Sequence, residues 1–446
     1  MDILIMLTPI FALIIVAILS KNLLFSMICA SMLSVIIECK AGFFTAYIDH
    51  MYDVLSNPTL QYILIFAVLA GAMIKLFEKS GAMTGFSKIM TKLSNTPRKS
   101  MFLTWLLGGI IFIDDYLNAL AVSTTMKGIT DKHRIPREHL AYTVNSMGAC
   151  VCVLLPITSW AACAISTLQD TGYDKSVYIS AVPFMFYPIA AVIICLLLAM
   201  GIFPKLGNMK KAYERVEAGG DTLDEISKGT QAEEKDEKTT AGNPWFFIIP
   251  MIVLVVVTIV FDINLVAGLM ATLLVQGLLY GFTKTMKFKE FFDYVVQGAE
   301  SMTGINLIIV AAFIMNQSLS NMGFSDTVIN FFSQHVSPQL LPVIVFLAVA
   351  FLAYVTANFW ALVVLTIPIF VPIAANMGIN PAVVVGAIMS GVAFGSHCCM
   401  YADAVFMTAV GTGVDNLVQI KSMMPYAVIG GVLAIVLFLV TGIVIA

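Results

Sequence analysis

The stretch "IFIDDYLNAL", residues 111–120, sets two aspartates, Asp114 and Asp115, side by side in an apolar run. "MFLTWLLGGI" (101–110) precedes it, and "AVSTTM" (121–126) follows before the next charge at Lys127. The rest of the chain decides whether this stretch lies in a bilayer. Hydrophobic residues occupy 59% of the 446 positions and charged ones only 11%, less than half the charged share of soluble domains. Apolar runs at 3–20, 22–39, 59–77, 178–203, 245–262, 263–282 and 422–446 have the length of a bilayer core, about 20 residues. The expected class is an all-α polytopic membrane protein. An ionised Asp at the centre of a span costs about 2.5–3.5 kcal/mol on insertion scales, so such residues usually face a polar interior and serve function.

The net charge of −3 singles out no partner, and nothing signals nucleic-acid binding or an organic cofactor. The first run starts at Asp2, lacks a basic n-region and flows into a second apolar run, unlike a signal peptide. The cysteines (29, 39, 150, 152, 163, 195, 398 and 399) lie in or beside apolar runs without CxxC or Cys/His spacing. They read as small packing residues.

Residues 205–243, with "MKKAYERVEAGGDTLDEISKGTQAEEKDEKTTAGN" at 209–243, break the apolar pattern. This polar segment is expected to be a mobile cytoplasmic linker between residues 1–204 and 244–446. The two halves echo one another. "FFTAYIDHMYDVLSN" (43–57) resembles "FKEFFDYVVQGAESM" (288–302), and "LFEKSGAMTGFSKIM" (76–90) resembles "SLSNMGFSDTVINFF" (318–332). "IDDYLNALAVSTTM" has a counterpart in "TANFWALVVLTIPIF" (356–370), and "CVLLPITSWAACAI" (152–165) in "GSHCCMYADAVFMT" (395–408). Each half is expected to hold about five transmembrane helices plus a re-entrant hairpin, at 100–126 and 338–372.

With the N-terminus outside and the linker in the cytoplasm, only Lys40 and Lys175 of the 24 basic residues fall outside, as the positive-inside rule requires. The loops flanking the first hairpin are basic, whereas 331–337 and 373–380 hold no Lys or Arg. Equivalent loops then lie on opposite sides, so the repeats are inverted. Such repeats bind their cargo near the midplane, where helices break and non-helical backbone lines a cavity.

Breaks are expected at "LNALAVST" (117–124), at Pro156 in "LLPITSW", at "YVTANFW" (354–360) and at "AFGSHCC" (393–399). Their free carbonyls and side-chain oxygens suit a small hard cation. Na⁺ is expected near Asp114, Asp115, Asn118 and Asp403, with Asn145, Thr158, Ser159, Trp160, Asn358, Ser396 and His397 completing the candidate site. Adjacent Asp residues in a helix point about 100° apart, so one can face the site while the other supports it. Structural alternatives stand beside each assignment. The Asp pair can cap a helix, the three asparagines can be interhelical hydrogen-bond glue, and Trp160 and Trp360 can be packing aromatics. His50, His133, His139 and His335 fall in loops or at span ends and carry no signal.

The segment "IFIDDYLNALAVSTTMKGITDKHRIPREHLAYTVNS" (111–146) resembles the NhaC family of Na⁺/H⁺ antiporters. That family carries F-x-D-D-Y-x-N, a following R-I-S-R-x-K-L-A-Y and a later S-x-W. The matching positions are Phe112, Asp114, Asp115, Tyr116 and Asn118, then Arg134 to Tyr142, then Thr158-Ser159-Trp160. The second half departs from the family's T-G-T-S-W-G and G-D-H-C-S-P-x-S-D-T, reading "VTANFWA" (355–361) and "GSHCCMYADA" (395–404). His397, Cys398 and Asp403 are retained, while Ser396 replaces an acidic residue.

The resemblance implies Na⁺/H⁺ antiport with Na⁺ as coupling ion, a scaffold and a transport domain, elevator-like movement and a homodimer in a cell membrane, here a bacterial inner membrane. Relatives of the superfamily also move organic solutes. The loss of charge at Ser396 therefore keeps open an alternative, Na⁺-coupled transport of an amino acid or small carboxylate. An intramembrane hydrolase has no GxGD or nucleophile-elbow motif to support it. A channel has no symmetric filter.

Overall fold

The computed structural model describes residues 3–20, 23–230, 242–261, 264–324, 337–356, 359–399 and 402–445. Among these residues there is no strand. The first part of the chain forms α1 (Ile3–Ser20), α2 (Leu23–Cys39), α3 (Phe43–Leu55), α4 (Pro58–Lys79), α5 (Ala82–Leu93), α6 (Pro97–Ile110) and α7 (Asp115–Lys132). It continues with α8 (Arg137–Leu154), α9 (Ser159–Asp170), α10 (Ser176–Ala181), α11 (Phe186–Ala199), α12 (Gly207–Glu217) and α13 (Glu225–Thr230). The second part forms α14 (Trp245–Val260), α15 (Leu265–Phe282), α16 (Phe288–Ser301), α17 (Thr303–Asn321), α18 (Leu341–Thr356), α19 (Phe359–Asn376), α20 (Pro381–Cys398), α21 (Asp403–Thr412) and α22 (Asn416–Ile445).

Local chemistry sets the ends of these helices. Thr96 accepts from the Lys99 N–H and Pro97 follows it, starting α6, because an N-cap oxygen satisfies an orphan donor and Pro is preset for the first turn. Thr158 does the same for α9 and Asn264 for α15, each accepting at 3.0 Å. Gly413 ends α21 with φ of 78°, a conformation that only glycine adopts without strain.

The helices pack in two groups. In one, α1–α4 interlock with α14–α17; in the other, α6–α11 interlock with α18–α22. Contacts recur in matched pairs. Helix α1 packs on α2 as α14 does on α15, and α2 on α17 as α15 on α4. Helix α7 packs on α21 as α19 does on α9, and α6 on α8 as α18 on α20. Small residues permit the closest crossings. A Cβ at Gly71 of α4 would strike the Gly298 backbone of α16, and the reverse also holds.

Three expectations change. The run 178–203 is not one straight span: it bends by 52° between residues 176–184 and 186–199, where Pro183 sits in a short 3₁₀ turn that cannot continue the α-helical ladder. The break in the first hairpin, at residues 111–114, takes in Asp114 and ends before Asp115, and 117–124 is helical. The break near "AFGSHCC" begins only at its last residue, Cys399, since α20 runs through Cys398.

The polar linker is also partly built in. Met209, Ala212 and Val216 are buried along one face of α12, which packs on α8 and α22. Arg215 donates to both Glu138 carboxylate oxygens, at 2.8 and 3.0 Å, and to the Thr222 carbonyl at 3.0 Å. Arg134 donates to the Gly220 carbonyl at 2.8 Å. Arg137 pairs with Asp131 at 2.8 Å and reaches the Thr412 carbonyl at 3.2 Å. Residues 205–228 thus strap α8 and α22, and Thr222 donates to Asp131 at the end of α7 at 2.8 Å. His139, expected to carry no signal, is buried here with Nδ1 2.6 Å from the Tyr213 hydroxyl.

Candidate functional site

Two interrupted helices meet at the Asp pair. Between α6 and α7 the chain leaves helical geometry at residues 111–114, and between α8 and α9 at 155–158. The breaks bond to each other. The Ser159 N–H donates to the Ile113 carbonyl at 3.0 Å, and the Cys152 thiol donates to the Phe112 carbonyl, also at 3.0 Å. Backbone groups freed by the breaks are therefore partly satisfied across them, as irregular backbone inside a membrane protein requires.

Asp114 sits just before α7. One carboxylate oxygen accepts from the Tyr116 N–H at 3.0 Å, as an N-cap does, and the other accepts from the Ser159 hydroxyl at 3.2 Å. Asp115 begins α7, and its carboxylate is buried with the residue 1% exposed. One turn on, the Asn118 amide donates to the Gly108 and Ile111 carbonyls at 2.6 and 2.8 Å, closing the last turn of α6. Asn118 Oδ1 is buried and has no hydrogen-bond partner among the described residues. Gly148 of α8 faces this corner: a Cβ there would make ordinary van der Waals contact, 3.4 Å from the Asp115 carbonyl oxygen and 3.8 Å from Asn118 Cβ.

Thr158, Ser159 and Trp160 have three different jobs. Thr158 caps α9 and donates to the Cys152 carbonyl at 2.5 Å. Ser159 holds Asp114. Trp160 crosses to the other half, stacking on Trp360 at the start of α19 with ring centroids 4.9 Å apart and planes at 25°. The Trp160 indole N–H is buried without a hydrogen-bond partner among the described residues.

Asn145 and His397 form a second cluster. The Asn145 amide donates to the His397 carbonyl at 3.1 Å. The His397 ring is held from both sides: Nε2 lies 2.8 Å from the Ser146 hydroxyl, and Nδ1 lies 2.6 Å from the Tyr187 hydroxyl. This hub joins α8, α11 and α20. Ser396 is buried beside it, its hydroxyl without a hydrogen-bond partner among the described residues. Helix α8 serves both clusters, with Asn145 and Ser146 facing the hub and Gly148 facing the Asp pair.

Asn358 lies outside the described residues. Asp403 is placed at the start of α21, but its side chain lies outside them. Sequence reasoning did not single out Ser146, Gly148 or Tyr187. The small residues of "NSMG" (145–148) were the available sign of close packing on α8.

The family model described as the Na⁺/H⁺ antiporter family matches residues 176–443, more than half of the chain. The chain belongs to that family. The antiporter is therefore a multi-pass membrane transporter of cations and protons, not an enzyme. The matched residues exclude 111–146, so the two parts of the sequence point to the same family separately. The antiporter is 25% identical over 405 residues to an uncharacterized protein of Haemophilus influenzae, an alignment covering 82% of this chain and 75% of that one. Among solved structures it is similar to MtrF of Neisseria gonorrhoeae, described within a class of antimetabolite efflux pumps. There the identity is 13% and the TM-score 0.43, over 91% of this chain and 85% of that one.

Proposed function

We propose that this antiporter exchanges Na⁺ for H⁺ at the crossing of the α6–α7 and α8–α9 breaks, with Asp115 as the titrating ligand. The observation that carries the reading is the bonding of the two breaks around a buried carboxylate pair, Ser159 to Asp114 and to the Ile113 carbonyl. A carboxylate removed from water needs a proton or a cation to stabilise it. Asp114 accepts from Tyr116 and Ser159 as a cap does, and Asp115, buried in the first turn of α7, is assigned the alternation between the two. Asn118 Oδ1 and break carbonyls supply further oxygens of the kind hard cations prefer. Asp403, at the start of α21, supplies the second-half carboxylate.

The matched packing pairs support two inverted repeats. The two helix groups support a division into a scaffold and a transport domain; elevator-like movement within a homodimer is what the family resemblance adds to the reading. In this reading residues 100–126 and 338–372 are re-entrant hairpins on opposite sides of the membrane. In a Cys-free background, Lys175→Cys and Asn376→Cys, both at exposed positions, should label with an impermeant maleimide from outside. Lys99→Cys, equally exposed, should label only after the membrane is opened. Labelling of positions 99 and 376 from the same side would rule out the inversion.

Function is tested in proteoliposomes loaded with Na⁺ and diluted into Na⁺-free buffer, with a pH dye inside. Outward Na⁺ movement should acidify the lumen, and an equal K⁺ gradient should not. Labelled amino acids and small carboxylates are followed in vesicles with the opposite gradient, Na⁺ outside and Na⁺-free buffer inside. Na⁺-driven accumulation of one of them, with no lumen pH change under either gradient, would replace antiport by solute cotransport, the reading that the uncharged Ser396 and the stacked tryptophans favour.

A further inference from the structure

Away from the Asp pair, where α2 ends and α3 begins, the chain assembles a carboxylate, a thiol and an imidazole. Lys40, with φ of 50°, opens the short 3₁₀ turn Lys40–Gly42, which folds α3 back beside the end of α2. The turn brings His50 Nε2 to 2.9 Å from a Glu38 carboxylate oxygen. Cys39 is adjacent in sequence, and the three potential ligand atoms lie within 4.8 Å of one another. The second Glu38 oxygen accepts from the Asn321 amide of α17 at 2.7 Å, which fixes the carboxylate's orientation. The Glu38 and His50 side chains are only 14% and 10% exposed.

We propose that Glu38, Cys39 and His50 bind a transition-metal ion of the Zn²⁺ class. Thiolate, imidazole and carboxylate together suit Zn²⁺ and not Mg²⁺ or Ca²⁺, which take oxygen ligands. Zn–ligand bonds of about 2.0–2.3 Å place ligand atoms some 3–4 Å apart, so side-chain shifts of about an ångström close the site. On binding, the Glu38–His50 hydrogen bond is exchanged for one bond from each residue to the metal. The Cys39 thiol loses its proton to solvent as the S–metal bond forms. Three protein ligands leave a fourth position for water, as in exchangeable rather than buried structural sites. Asn321 supplies the hydrogen bond to a ligating carboxylate that metal sites generally include. The ion would tie α2 and α3 to a helix of the other half.

The test uses the full chain in detergent with Cys39 as its only cysteine. Micromolar ZnCl₂ is expected to slow maleimide labelling of Cys39 at least tenfold, with EDTA restoring the rate. MgCl₂ and CaCl₂ should have no effect. His50→Ala should abolish the protection while labelling without metal continues. Glu38→Gln, which keeps a partner for Asn321, should weaken it. Native protein desalted after Zn²⁺ loading should retain about one Zn²⁺ per chain more than the Cys39→Ser protein. Unchanged labelling with ZnCl₂, or protection that persists in His50→Ala, would overturn the proposal. Neither outcome bears on Na⁺/H⁺ exchange at the Asp pair.

Discussion

Asp115→Asn is expected to cut Na⁺-driven proton movement at least ~100-fold while leaving normal amounts of protein in the membrane. The substitution keeps shape and removes only the ionisable charge. A Na⁺ ion entering the α6–α7 break gives up hydration, and the Asp115 charge is proposed to offset that loss. Withdrawing a charge partner at such depth costs about 3 kcal/mol, equivalent to roughly a hundredfold in affinity. An amide also takes up no proton, so the exchange half-cycle has no carrier.

Asp114→Asn should behave differently. Asn is as good an N-cap as Asp, and its oxygen can still accept from the Tyr116 N–H or the Ser159 hydroxyl. That variant should fold and retain measurable exchange with weakened Na⁺ dependence. Both are read in everted vesicles by dye quenching on addition of Na⁺, normalised to protein content. Full exchange in Asp115→Asn together with loss in Asp114→Asn would reverse the assigned roles. Full exchange in both would return the pair to a capping role.

Arg215→Ala is expected to destabilise the protein by about 3–5 kcal/mol, the usual cost of leaving one member of a buried ion pair uncompensated. The Glu138 side chain is 2% exposed, and both its oxygens are held by Arg215. Arg215 also anchors the strap to itself through the Asp221 and Thr222 carbonyls, each at 3.0 Å. Its loss should therefore free residues 205–228 as well as strand the carboxylate. A large drop in the melting temperature of the detergent-solubilised protein, with faster proteolysis between 205 and 228, is the expected result. Arg215→Met combined with Glu138→Gln removes the stranded charge and should recover most of the lost stability, since buried pairs are often replaceable by uncharged groups. An unchanged melting temperature in Arg215→Ala would mean that the strap is not docked in solution.

Part of that strap was legible. Met209, Ala212, Tyr213 and Val216 follow the i, i+3, i+4, i+7 spacing of an amphipathic helix, hidden by the charges around them. Nothing local, however, says that Arg215 will find Glu138, 77 positions away. The Asp pair was a similar case. Its apolar setting marked it as a candidate site, and the neighbouring "LLPITSW" correctly located a break. The break in the first hairpin was expected after the aspartates but ends at Asp114, where Asn118 closes the α6 carbonyls from within α7. That bond runs backward across the interruption, and helical propensity carries no record of it. Ser396 and His397 were likewise expected in broken backbone. They occupy the last turn of α20, where His397 is gripped by Ser146 and Tyr187.

By itself the sequence determined the membrane class, the helical content and the residues too polar for their surroundings. These follow from composition and periodicity, which act over one or two helical turns and need no knowledge of neighbours. Tertiary structure alone decided that Asp114 caps α7 and accepts from Ser159. It also decided that Trp160 meets Trp360, that Asn145 closes on His397 and that Glu38, Cys39 and His50 converge. Each of these depends on a side chain satisfied by a helix distant in sequence. In a bilayer, buried polar groups have no water to fall back on, so their partners are set by how the helices pack.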